Sequence, residues 1–209
     1  MQRKSKSELI KVPPNHWEDL RKMDMNRVCE CSLAISHDSG GLLILFLNND
    51  VLVDIENLCL WRIYPDRREK IDHSLFELVV LVYLLNVTHD LIGREMISVS
   101  DLKDAHFFQG PHTLKTAPVL KRYGRDLTGF KNAAESLDGE FLDLADAAYK
   151  FSPFPKIPLY YLLWEGDDEF EPHLSVLFDR SIERHLSADA IWGLVNLVSN
   201  ELLMAGQSR

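Results

Sequence analysis

Apolar and polar positions change rhythm along the chain, and each rhythm predicts a different element. Between residues 28 and 63 short apolar runs alternate with turn residues. Residues 42–47 are almost continuously apolar, Asn48-Asn49-Asp50 tolerates positive φ, and two further runs follow at 51–55 and 58–63. This reads as an antiparallel meander closed by Tyr64-Pro65-Asp66. Cys29, Cys31, Leu33 and Ile35 occupy alternate positions, which predicts an opening strand that shows them on one face. Residues 75–85 are apolar nearly all round, the mark of a buried helix; Ser74 and Glu77 have capping-box spacing, and the helix should reach about Asn86.

The second half centres on residues 151–179. Pro153, Pro155 and Pro158 remove backbone donors, so residues 151–156 are expected as an extended edge or lead-in. The run at 159–164 is rich in strand formers, an acid-rich break surrounds Gly166, and residues 174–178 read as the returning strand. The expected unit is a central hairpin with an acidic tip. Ser187 and Asp189 fit the start of a last helix whose stripe is Ile191, Leu194, Val195, Val198 and Leu202. A short strand is expected within 91–102. Helices are expected near 114–123, with Pro118 in the opening turn, and near 130–137, with Gly124 and Gly139 as stops. Trp17, Leu20 and Met23 give one short amphipathic helix after a loose arm at 1–14. The sum is a single α+β domain over 15–209, mainly antiparallel sheet with helices packed chiefly on one side.

Composition narrows the function classes. With 209 residues and 46% apolar content the chain can bury a sizeable core. A net charge of −9 argues against nucleic acid and anionic membranes as partners. Residues 75–85 would span about 16 Å as a helix, half a bilayer core. Three cysteines, an odd number without a regular framework, predict free thiols and a cytoplasmic location.

The candidate chemistry is concentrated at the hairpin. Asp167, Asp168, Glu169 and Glu171 crowd negative charge, and with His173 and Asp179 they offer oxygen and imidazole ligands. Asp167, Asp168 and His173 are the metal candidates, although the spacing is not that of an EF-hand. Tyr161, Trp164 and Phe170 add aromatic surface for a small molecule. His106, His112, His173 and His185 show no helical zinc spacing, and the three cysteines are weighed against simple burial. Walker A, G-x-G-x-x-G and G-x-S-x-G motifs are absent, and no cofactor follows from the sequence.

Phe154-Pro155-x-x-Pro158, Leu163-Trp164-x-Gly166-Asp167-Asp168-Glu169-Phe170 and Leu177-Phe178-Asp179 resemble a prokaryotic family catalogued as domain of unknown function 3786. The resemblance extends over roughly residues 70–204, through Tyr83-Leu84-Leu85, Ile97-Ser98-Val99 and the 139–144 segment. Met96 and Val99 depart from the aromatic residues expected there. Some relatives look like fusions to cysteine-rich iron–sulfur modules, which implies a link to anaerobic cofactor metabolism; three scattered cysteines cannot form such a module here. Two readings follow. The first is a non-catalytic accessory protein that binds a small ligand, cofactor or partner protein near the hairpin, at Tyr161, Trp164, Asp167, Asp168, Glu169, Phe170 and Asp179. The second is an enzyme in which Asp167, Asp168 and Asp179 act as acid, base or metal ligands.

Overall fold

The computed structural model describes residues 12–38, 40–90, 92–93 and 95–206. Most of the predicted N-terminal arm therefore lies outside the described residues. The architecture is α+β; the described residues form seven α-helices and two five-stranded sheets in which every ladder is antiparallel.

Helices α1 (Asn15–Lys22) and α2 (Met25–Ser32) precede the first sheet. That sheet is a plain meander of β1 (Ile35–His37), β2 (Gly41–Phe46), β3 (Asn49–Asp54), β4 (Cys59–Ile63) and β5 (Arg68–Ile71), in chain order. The buried helix α3 (Ser74–Asn86) follows. The second sheet has the order β6-β10-β9-β8-β7, from β6 (Met96–Ile97), β7 (Glu140–Leu142), β8 (Ala147–Phe154), β9 (Ile157–Trp164) and β10 (His173–Asp179). Helices α4 (Ala117–Tyr123) and α5 (Leu127–Glu135) lie between β6 and β7, and α6 (Ile182–His185) and α7 (Ala188–Ala205) end the fold. Pro118 sits in the first turn of α4, where its missing N–H costs nothing.

One continuous apolar cluster runs through both sheets and the helices between them. Phe154 is its hinge point: its ring stacks on Tyr83 of α3 at 4.4 Å and meets Phe46 of β2 edge-on at 5.6 Å. The Leu47 amide donates to the Pro153 carbonyl at 3.1 Å, so the two sheets are also joined through backbone. Buried tyrosines satisfy their hydroxyls on neighbouring elements. Tyr161 reaches the Val195 carbonyl and Ser199 of α7, Tyr123 the Leu202 carbonyl, and Tyr83 the Ser32 carbonyl. Leu78, Val79, Leu81 and Val82 of α3, Leu162, Val176 and Phe178 of the hairpin, and Leu194 and Val198 of the α7 stripe are all buried.

Several local expectations are corrected. Cys29 and Cys31 lie on α2, not on a strand. Asp24 accepts the Asn26 amide to start this helix, and Leu33, at φ 61°, ends it. Val28 and Cys31, three apart, face the core, so an alternation of only four residues misread a helical period. The two thiols therefore point in different directions, and all three cysteines are unpaired. The α3 cap is His73, whose Nδ1 accepts the Phe76 amide; Glu77 instead accepts from Trp17 Nε1 at 2.7 Å. Ser187 holds the N-cap position of α7, but its hydroxyl donates to Asp189 in place of accepting a helix amide. The proline-rich segment is extended as expected: residues 151–154 end β8 beyond Lys150, the last residue that β7 pairs, and lead through a turn at 155–156 into β9. Pro153 is tolerated because the ladder slips out of register between Phe151 and Phe154, and Pro158 lies beyond the last residue that β10 pairs, Leu159. The 91–102 strand shrinks to Met96–Ile97, after which Ser98 and Asp101 box a short 3-10 turn.

Candidate functional site

The β9–β10 hairpin has two chemically different ends. At the tip, Trp164 and His173 form the last ladder pair, with rings 5.4 Å apart. Gly166 is required by close approach: its amide donates to the Gly124 carbonyl at 2.9 Å, and a Cβ there would meet Pro172 Cδ at 2.4 Å. Asp167 then folds the loop on itself. Its Oδ1 accepts the Glu169 and Phe170 amides at 2.8 and 2.7 Å, while its own amide donates to the Phe170 carbonyl. These two amides, chiefly that of Phe170, hold the Asp167 carboxyl below the usual carboxylate range. Asp168, Glu169, Glu171 and His173 are exposed, and Phe170 is 69% exposed.

The tip is docked against the corner between α4 and α5. Arg125 Nη2 donates to the Asp167 carbonyl at 3.2 Å, and Pro172 packs where any side chain at Gly124 would collide, at 2.8 Å. Between them opens a cleft of about 370 Å³, with Leu120 and Pro172 as apolar wall and Lys121, Arg122, Arg125 and Asp126 as polar rim. The arginines that follow β10 are used elsewhere: Arg180 pairs with Glu95 and Arg184 with Asp90. Arg125 was not singled out by the sequence. It lies 42 residues from Asp167 in a polar stretch, and no spacing signal joins them.

At the root, six residues on, Asp179 is 1% exposed. Its Oδ1 accepts from the Gly93 amide, the Ser181 amide and the Ser181 hydroxyl. Close by, His185 is fully buried; its Nδ1 takes the Thr88 amide at 3.4 Å, and its Nε2 has no partner among the described residues. Lys156, in the β8–β9 turn, donates to the Thr88 carbonyl at 2.8 Å. Burial first, and Lys156 second, push His185 below its ordinary value.

The residues named from sequence thus divide. Trp164, Asp167, Asp168, Glu169 and Phe170 share the tip with His173. Asp179 lies about 20 Å away along β10, and Tyr161 is fully buried against α7. His112 stacks on Phe107 at 4.3 Å, away from the hairpin histidines in sequence and contacts. Among the described residues no group of three or more His, Cys, Asp or Glu side chains could hold a metal ion, and no helix is long and apolar enough to cross a membrane.

The chain belongs to the family described as Domain of unknown function (DUF3786), whose model matches residues 24–201. No curated protein and no solved structure matches it.

Proposed function

We propose that this protein is a non-catalytic accessory protein that holds a small ligand in the cleft between the α4–α5 corner and the hairpin tip. The observation that carries the reading is the cleft itself: about 370 Å³, walled by apolar groups, rimmed by charge and tied to the tip through Arg125. Trp164 and Phe170, exposed at the hairpin tip though not in the cleft lining, offer aromatic surface that a bound molecule or partner would cover. The catalytic alternative has less support. Its three carboxylates are not convergent, because Asp179 is buried at the root while Asp167 is engaged by backbone amides. The link to anaerobic cofactor metabolism implied by the family resemblance would make the ligand a cofactor or a precursor of one.

The test is a thermal-shift screen of cofactors and metabolites on the wild type, repeated on Arg125→Ala and Trp164→Ala. Stabilisation by a compound, lost in both variants, is the expected result. Conversion of a compound into a product would favour the enzyme reading, and stabilisation indifferent to both substitutions would place the ligand elsewhere and end the proposal.

A further inference from the structure

We infer that the cleft takes an anionic small molecule, one that presents a phosphate or carboxylate group to Lys121 and Arg125; this rests on the reading of the cleft as a ligand site. The charge count is the first ground. The rim holds three cations, Lys121, Arg122 and Arg125, against one carboxylate, Asp126, in a chain whose net charge is −9. Pairing inside the rim then decides which cations remain. Arg122 is engaged by Asp126 at 3.0 Å, one turn along. Among the described residues Lys121 has no hydrogen bond or ion pair, and Arg125 has no carboxylate within ion-pair distance, only the Asp167 carbonyl on one of its five donors. Two cations are thus left to face an open, partly apolar hollow.

The acidic tip is the obvious competitor for these charges, and its own folding limits the competition. The Asp167 Oδ1 is turned onto the amides of Glu169 and Phe170, and the loop meets Arg125 through a carbonyl oxygen. The guanidinium keeps donors for a planar oxyanion, which it can hold through two parallel bonds. A second hollow of similar size, about 360 Å³, shows the contrast. It too holds an arginine, Arg62, but Glu201 lies 3.2 Å away and neutralises it. The α4–α5 cleft instead combines concavity with two cations that no carboxylate pairs among the described residues.

The experiment titrates pyrophosphate and citrate into the full chain by calorimetry at low ionic strength, with heteronuclear NMR to map the residues that shift. Saturable binding is expected, with shifts at Lys121, Gly124 and Arg125 and weakening as salt rises. Lys121→Gln, which breaks no hydrogen bond, and Arg125→Ala should each weaken binding about tenfold, the loss of one charge-assisted contact. Arg125→Lys should recover part of it. Lys70→Ala, on β5 of the other sheet, removes a charge without touching the cleft and should leave binding unchanged. Equal weakening by Lys70→Ala would mean non-specific attraction and overturn the inference. If neutral compounds bind in an Arg125-dependent way while neither anion does, the anionic class is wrong and the cleft stands. If no probe depends on Arg125, both fall.

Discussion

The two ends of the β9–β10 hairpin put the same side chain to opposite uses. Asp167 at the tip is exposed and closes a loop of its own making, with its carboxylate oxygen on amides two and three residues ahead. Asp179 at the root is buried and gathers donors from separate parts of the chain, Gly93 before β6 and Ser181 after β10. Water can replace what Asp167 does, because the tip amides face solvent. Water cannot readily replace what Asp179 does for Ser181, because both residues are buried. The root is a structural knot, whereas the acidic side chains of the tip face solvent.

The widest gap should come from two phenylalanines. Phe178→Ala, at a fully buried position of β10 before the knot, should cost about 3–5 kcal/mol in a urea melt. Phe170→Ala at the tip should stay within about 0.5 kcal/mol. Equal losses would erase the distinction. Next, Asp179→Ala strands buried donors and should cost about 2–3 kcal/mol, measured the same way; a neutral result would show that the root is open to water.

A third test uses pH. His185 has its folded value pushed below the ordinary histidine value of about 6.5. Its neutral ring accepts the Thr88 amide, and Lys156 and Arg184 oppose a positive charge there more than Asp90 and Asp179 favour it, once burial has acted. Below that ordinary value the unfolded chain takes up the proton first. Stability is therefore fully present above about pH 6.5 and declines as pH falls through the depressed folded value, by at most about 1.4 kcal/mol per pH unit. His185→Gln should flatten this part of the stability profile, and an unchanged slope would remove His185 as its cause.

The smallest effect is expected at the tip. Asp167→Ala should leave the global melt nearly unmoved and increase amide exchange at Glu169 and Phe170. Divalent ions should then alter neither protein; a wild-type melt raised by them and lost with Asp167→Ala would revive the metal reading.

Much of the fold was legible because burial imposes period. The apolar α3, the α7 stripe and the β9–β10 pair each expose their geometry in the order of their side chains. Where burial is weak or shared the pattern failed. β5, Arg-Glu-Lys-Ile, is an edge strand with no apolar alternation, and the short run around Cys29 fits either period. Glu77 left its expected cap because Trp17, sixty residues earlier in sequence, was a better partner.

The same division governs the candidate site. The sequence by itself determined that residues 165–171 form an acidic break between two strands, since charge cannot enter the core and apolar runs must. Whether that break stands alone in water or leans on a neighbour was decided only in three dimensions. Gly124 and Arg125 meet the tip because α4 and α5 pack on α7, and Asp179 is withdrawn because β6 pairs β10 there and Gly93 and Ser181 bond to its carboxylate. Local order follows from the period of side chains along the chain, whereas which charges meet depends on contacts between distant segments, and no period records those.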